Sequence, residues 1–528
     1  MRSNASLNWH RDMSGTNGFN TSGRANDGTA SLSLEPDGQG YLGFASGVTL
    51  LRILQLCAGA IPLPQLDGPD NAREQQPMRI DQGLSLHDTS RFVDAYFQCY
   101  HLQYPILHEP TFRAQWNEII PPPPPEQWEM LLNVVLGIGA FCAFEPLSVV
   151  EHFLDKSISA IGARHLQCGS LTLVQAFTLL SNLCQKSNRL NSGSVFLGIA
   201  GRMAMGLGLH RELPFWNINP FEREIRRRAW WMIYTFDSGS SITFGRPIVF
   251  PTTESDVTMV HNAPERSAFH MVGNRCYHRV ISSPPPSIVE IHSLDTQILA
   301  WKETVPSWLQ PNERSACPYQ WLHFSAQKLF WRCCNLRIIL HRRAFLERAL
   351  KGLPLTTAEA TFNSGNPTAG VTDNELELRS SEQCLENASQ TIRSIHQFFV
   401  QPPRDRLEAW YGLHYLFHAS FVPLIALHTD HGSRHRPEWV HDVSLTCEVL
   451  HTLRDDPLAK RCLSIVHLLS PSDSQVANIC APFDNNDLLA MLHSTDPPVI
   501  SPSNDLVQTL LPFADLATLS SFWPMSAQ

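Results

Sequence analysis

Apolar residues in this chain recur at spacings of three and four over long stretches, and they nowhere alternate over a run long enough to build a sheet. The pattern predicts helices over about 126–144, 147–166, 170–187 and 192–209, joined by short turns. Farther on, Leu322, Ala326, Leu329, Cys333, Leu336 and Leu340 repeat at four-three-four-three-four, the seam of a long packed helix. Segments near 373–400, 405–428 and 436–469 read the same way, and early in the chain Phe92, Ala95, Tyr96 and Cys99 share a helical face. The expected fold class is all-α, a multi-helical body between disordered N-terminal and C-terminal segments. Residues 1–38 are rich in Ser, Asn, Gly and Asp with few aliphatics, so disorder is expected there. Gly59 to Asp81 reads as a linker, and the five prolines Pro121 to Pro125 stop one helix and let Glu126 start the next. After Pro251 the chain is expected to loosen, with Ser282-Ser283-Pro284-Pro285-Pro286 as a second break. The last stretch, 471–528, reads as a mobile tail in which Leu506, Val507, Leu510, Leu511 and Phe513 lie between Asp505 and Asp515. That mixture has the look of an acidic-hydrophobic activation segment or of a short docking helix.

One helix stands out by its chemistry. Asn219 is a favoured N-cap residue, Pro220 suits the first helical position, and Glu222 follows three residues after the cap. Ile225, Ala229, Met232 and Phe236 then recur at four, three and four, placing one face toward a core. Glu222 with Arg226 and Glu224 with Arg228 are acid-before-base pairs one turn apart, each worth about 0.2–0.5 kcal/mol on an exposed helix. Arg226 is also expected over the face of Trp230. Asp237 is an acid inside an apolar run, and Arg246, just beyond the Gly245 break, is its expected partner. In the helix before, the small residues Ser194, Gly198 and Gly201 are expected to let another helix approach closely.

Composition narrows the function more than the fold. The chain has 528 residues, 43% of them hydrophobic, enough for a large buried core, and a formal net charge of −9, which argues against an extended basic surface for nucleic acid. Its 13 cysteines are scattered through apolar helices, as expected of reduced intracellular thiols. No two of them are three apart, and adjacent Cys333 and Cys334 suit core packing better than metal. The longest apolar stretch, Leu131 to Phe144, is too short for a membrane span, so no membrane partner is expected. Gly206 and Gly208 end a helical run instead of opening one after a strand, and no nucleophile elbow, phosphate loop or zinc-binding helix motif occurs. His428, His431 and His435 read as a helix end and turn instead of a metal site. No catalytic residue, cofactor or metal ligand is therefore expected, and an all-α enzyme or binding protein with an apolar pocket stays as an alternative.

The run Arg226-Arg227-Arg228-Ala229-Trp230-Trp231 with Tyr234 and Asp237, closed by Gly245-Arg246-Pro247, resembles the core of the fungal-specific transcription factor domain of the fungal binuclear zinc-cluster transcription factors. Other segments are similar in the same order: Tyr41 to Gly47, Tyr96 through Tyr104-Pro105-Ile106-Leu107-His108 to Phe112, Ala200 to Glu212, and Asn335 to Arg342, with Arg343 where proline is usual. The resemblance implies a domain core over 39–255 and a C-terminal helical part over 256–470. It further implies a nuclear transcription regulator, controlling a metabolic or secondary-metabolite gene cluster. Its partners would be the transcription machinery or a related transcription factor, with a small-molecule effector. DNA contact is implied for the family. The paired Cys-x-x-Cys units that read DNA there are missing from this sequence, so a co-regulator acting through an intact relative is the alternative. Arg226, Arg227, Arg228, Trp230, Trp231, Asp237, Gly245, Arg246 and Pro247 are expected to hold the scaffold together instead of meeting a ligand.

Overall fold

The computed structural model describes residues 43, 45–59, 86–187, 189–250, 255–260, 264–310, 320–356 and 372–471. The segment 1–38, nearly all of the Gly59–Asp81 linker and the tail pattern at 505–515 lie outside the described residues. Among the described residues every regular element is helical and no strand occurs.

In chain order the helices are α1 (Gly47–Cys57), α2 (Leu86–Ala95), which runs through a π-helical stretch (Tyr96–Tyr100) into α3 (His101–Gln103), α4 (Glu109–Trp116), α5 (Pro125–Cys142), α6 (Leu147–Ser159), α7 (Ala163–Gln167) and α8 (Leu171–Lys186). They continue with α9 (Leu190–Gly206), α10 (Pro220–Phe244), α11 (Pro264–Val280), α12 (Ile288–Thr304), α13 (Gln320–Leu350), α14 (Asp373–Phe398), α15 (Arg406–Thr429), α16 (Arg436–Thr452) and α17 (Pro457–Leu469).

Three departures from the sequence pattern have local causes. The expected 147–166 helix divides at Ala160–Gly162 into α6 and α7. The expected 436–469 helix divides because Asp456 accepts the Leu458 amide at 2.8 Å as an N-cap and Pro457 takes the first helical position of a new helix. The stretch after Pro251, expected to loosen, carries α11 and α12; Ser287 caps α12 through the Glu290 amide, and Ile291, Leu294, Ile298 and Trp301 face inward at helical spacing.

The core comes in two parts with α13 between them. One side of α13, Ala326, Leu329, Cys333, Leu336 and Leu340, packs with α11 and α12, as its predicted seam requires. The other side, Phe324, Trp331, Ile338 and Phe345, joins the larger core built by α1 to α10 and α14 to α17. In that larger core α15 is the axis: Leu407 to Leu427 are buried without interruption, so the helix is wrapped on every side. Helices α8, α10, α11, α13 and α15 thereby converge on one interior region, which Tyr104 enters from the end of α3. Among the described residues no helix is long and apolar enough to cross a membrane.

Candidate functional site

Helix α10 begins as its sequence predicts: Asn219 Oδ1 accepts the Glu222 amide at 2.8 Å and Pro220 opens the first turn. The Glu224–Arg228 pair forms at 3.0 Å. The other expected contacts of the first turns are replaced by longer-range ones. Arg226 donates to the Leu207 carbonyl at the end of α9 (2.8 Å), and the ring beside Trp230 is His210, with centroids 5.8 Å apart. Arg226 therefore closes the exposed end of α9 instead of lying over Trp230. Arg227 reaches backward to Glu212 through two parallel bonds of 2.8 Å each, and the same carboxylate accepts the Thr258 amide (2.8 Å) and hydroxyl (2.7 Å). This bidentate pairing and the Thr258 bonds hold the Glu212 carboxyl down at about 2. Trp231 donates its indole N–H to the Thr258 carbonyl at 3.0 Å, so one short segment is bound to α10 by a charge and an aromatic together. Sequence reasoning missed Glu212 as the hub, although it is the last residue of the Ala200–Glu212 motif. From Ala229 to Ser238 the helix is buried all round, so the four-residue face read from the sequence is only part of a fully enclosed segment.

Asp237 is not paired with Arg246. Its Oδ2 accepts the amides of Val249 (2.8 Å) and Phe250 (2.9 Å), while Arg246 donates to Ser194 Oγ (2.9 Å) and Asn191 Oδ1 (3.0 Å) on α9. The physical reason is the turn at Gly245, which adopts a left-handed φ of 68°. It reverses the chain so that the backbone after Pro247, not the Arg246 side chain, comes back over the acid. Burial pushes the Asp237 carboxyl up to about 6 in spite of the two amides. The same turn meets the chain two hundred residues upstream: the Gly43 amide caps the Phe244 carbonyl at 2.8 Å, and a Cβ on Gly43 would lie 2.0 Å from the Gly245 carbonyl oxygen. Gly43, from the Tyr41–Gly47 sequence motif, and Gly245 of the Gly245-Arg246-Pro247 motif thus close on each other. Pro247 itself is exposed, and its carbonyl accepts the Ser241 hydroxyl at 3.1 Å.

Phe250, fixed by the Asp237 bonds, lays its ring on α9 at Gly201, where a Cβ would come within 1.9 Å of the ring. The small residues of α9 are therefore not a landing strip for one more helix: Gly201 receives a loop ring, Ser194 binds Arg246, and Gly198 has nothing within 4 Å. Replacement Gly201→Ala is expected to lower the unfolding free energy by ~1–3 kcal/mol through overpacking, measured by urea denaturation; a change indistinguishable from zero would mean the ring is free to move aside.

The opposite side of α10 faces an interior cavity of about 50 Å³. Thr235, Phe236, Gly239 and Thr243 supply one wall, Arg332 of α13 another, and Trp410, Tyr411, His414 and Tyr415 of α15 a third. Tyr104, from the Tyr-Pro-Ile-Leu-His motif, shares a short hydrogen bond with Tyr411 across it. Arg332 donates Nε to the Tyr415 hydroxyl (3.2 Å) and Nη1 to His270 Nε2 (2.9 Å), and His270 Nδ1 meets Ser238 Oγ at 2.8 Å. Lys186, buried at the end of α8, donates to Asn182 Oδ1 at 2.8 Å and lies over the Trp410 ring, 4.5 Å from its centroid. Burial lowers the Lys186 amine to about 7 and holds the His414 ring well below the usual histidine range. Among the described residues no group of three or more His, Cys, Asp or Glu is placed to hold a metal ion; His428 Nε2 meets the Leu469 carbonyl (2.8 Å) and His435 Nδ1 meets Glu438 (3.3 Å). Cys333 and Cys334 are both buried.

Comparison with known proteins matches residues 93–289, from α2 into α12, to the family described as fungal specific transcription factor domain. Over those residues the chain is similar to a fungal specific transcription factor domain. The two motifs that meet at the cavity and at the α10 turn, Tyr104 to Phe112 and Arg226 to Pro247, both fall inside the match. The lactose regulatory protein LAC9 of Kluyveromyces lactis is 27% identical over 361 residues, which is 67% of this chain and 40% of that protein. Transcription factor FBD3 of Fusarium pseudograminearum is 23% identical over 473 residues, 75% of this chain and 61% of that protein. The acetamidase regulatory protein of Emericella nidulans is 31% identical over 172 residues, 31% of this chain and 21% of that protein. This chain spans less than two thirds of the length of each of them.

Proposed function

We propose that this chain is the regulatory part of a nuclear transcription regulator that controls one metabolic or secondary-metabolite gene set, working with the transcription machinery or a related transcription factor. The observation that carries the reading is the match to the fungal specific transcription factor domain, which takes in the whole of α10 and its turn. The names of the relatives, regulators of lactose and acetamidase functions among them, favour a pathway-specific role.

In this reading Arg226, Arg227, Arg228, Trp230, Trp231, Asp237, Gly245, Arg246 and Pro247 form a brace. They fix α10 against α9, the Thr258 segment and the Gly43 turn instead of touching DNA or effector. Because α10 lends one side to that brace and the other to the cavity, a small molecule that favours one arrangement of the cavity wall would shift the population of the braced turn and of whatever surface rests on it. Deleting the gene and comparing transcripts with the parent strain tests the role. The expected result is altered expression of a small, physically clustered set of genes, restored by the intact gene and not by an Asp237→Ala copy expressed at equal level. Unchanged transcripts under every nutrient condition in which the gene is expressed would overturn it. A fluorescent fusion excluded from the nucleus would overturn the assignment of place.

A further inference from the structure

The cavity between α8, α10, α11, α13 and α15 is lined without a single Asp or Glu, yet the cation Arg332 stands in its wall. Lys186 lies behind the Trp410 ring, in the wall of a neighbouring cavity that also holds Glu151 and Asp456, and its only hydrogen bond among the described residues goes to a neutral amide. Arg332 is half-buried and bonded to a tyrosine hydroxyl and a neutral imidazole nitrogen. Against the cost of its burial, the hydroxyls of Tyr415, Tyr104 and Tyr411 hold the Arg332 guanidinium above its ordinary range. Elsewhere in the same helix, Arg337 shows how this fold treats a buried guanidinium it only needs to store, by pairing it with Asp295 at 2.6 and 2.9 Å.

The cavity wall also holds ring nitrogens with no hydrogen-bond partner. His414 Nδ1 and the Trp410 indole Nε1 are buried, with 4% and 7% of their residues exposed, and neither atom has a hydrogen-bond partner. Buried polar atoms are rarely left so. Arg332 keeps Nη2 out of both of its hydrogen bonds, and that nitrogen lies beside Gly239, where an added Cβ would come within 3.0 Å of it. Arg332 and His414 line the same cavity, and Trp410, whose ring Lys186 covers from behind, lines both it and a neighbouring one.

We propose that this cavity binds a small organic carboxylate, held by Arg332 Nη2 with the His414 or Trp410 N–H as second donor, with the charge of Lys186 behind the Trp410 ring. A planar carboxylate suits the fork of a guanidinium whose other nitrogens are already fixed. The cavity of about 50 Å³ admits about three to five water-sized atoms, so the ligand is a monocarboxylate the size of acetate or propionate, flanked by the rings of Tyr411 and Trp410. The proposal rests on the regulatory reading above and supplies the class of its effector.

The test is isothermal titration of the full chain at constant ionic strength with acetate, propionate, pyruvate and butyrate as sodium salts, against sodium chloride, sodium phosphate and propionamide. At least one acid is expected to bind one to one with a Kd of about 1 mM, reasonable for so few atoms, and to shift tryptophan fluorescence, with propionamide weaker by about tenfold or more. Arg332→Met is expected to abolish binding. Lys186→Met is expected to weaken it by about tenfold while raising the thermal midpoint, since a buried unpaired cation is removed. Gly239→Ala, which crowds Nη2 without removing a charge, decides the matter if Arg332→Met does not fold. Silence from all four acids, equal binding of propionamide, or binding of phosphate in place of the acids would each overturn the proposal. Such a failure alongside the expected transcript changes sinks the ligand alone, whereas unchanged transcripts with measurable carboxylate binding sink the regulatory reading instead.

Discussion

Asp237→Ala is expected to lower the unfolding free energy by ~2–4 kcal/mol, because it strips the acceptor from the Phe250 amide in the core and from the half-buried Val249 amide beside it. The loss reaches beyond those two bonds, since Phe250 is the ring that packs on Gly201 and closes the α9–α10 junction. Asp237→Asn keeps an acceptor oxygen in the same place and is expected to cost less than about 1 kcal/mol at neutral pH. The pH dependence separates the charge from the hydrogen bonds. Burial raises the native carboxyl to about 6, above the ordinary value, so the native state holds this proton more tightly than the unfolded chain. The stability linked to that proton is fully present below about pH 4 and is lost as the pH rises through about 6, a change of order 3 kcal/mol. The asparagine variant has no such term. Its stability relative to the parent is therefore expected to move in the parent's favour as the pH falls from 7 to 4.5, followed by urea denaturation at each pH; a difference that stays flat across the range would show that Asp237 is not the titrating group.

The second large effect lies in the smaller core. Asp295 on α12 receives Arg337 of α13 through bonds of 2.6 and 2.9 Å, and His341 Nε2 sits 3.4 Å away. Against the cost of its burial, His341 and Arg337 hold the Asp295 carboxyl well below the usual carboxylate range. Asp295→Ala leaves Arg337 buried with only the amide oxygens of Asn387 and Gln383, and is expected to cost ~3–5 kcal/mol. Because the desolvation of two charges opposes their attraction, the double variant Asp295→Leu with Arg337→Met is expected to be more stable than Asp295→Ala alone. Thermal unfolding of the three proteins checks this. A double variant that melts below the single one would mean that the pair contributes more than its two charges cost.

How far the helices could be read in advance depended on how local their causes are. The seam of α13 was legible because its apolar spacing is regular, whereas α11 and α12 were not, because Arg, His and Asp interrupt their faces. In α12 the signal was present in the Ser287 cap and in Ile291, Leu294, Ile298 and Trp301, yet the preceding prolines weigh toward a loop. The break at Asp456-Pro457, inside a stretch whose spacing reads as one helix, proved to be a cap that starts a new one.

The motif helix divides the same way, residue by residue. The chain alone determined that α10 starts at Asn219-Pro220, that Glu224 meets Arg228 one turn on, and that the helix ends at Gly245, since each of these is settled within about four residues by helical geometry. Tertiary structure decided the partners of the charges. Arg227 met Glu212 fifteen residues back, Asp237 met backbone amides in place of Arg246, and Gly43 met Gly245 from the far end of the chain. The gathering of Asn182, Arg332 and His414 around one cavity came from α8, α13 and α15, which no spacing connects. An acid or an arginine can satisfy itself with any acceptor or donor in reach, and what is in reach is fixed only when close packing chooses which helices become neighbours.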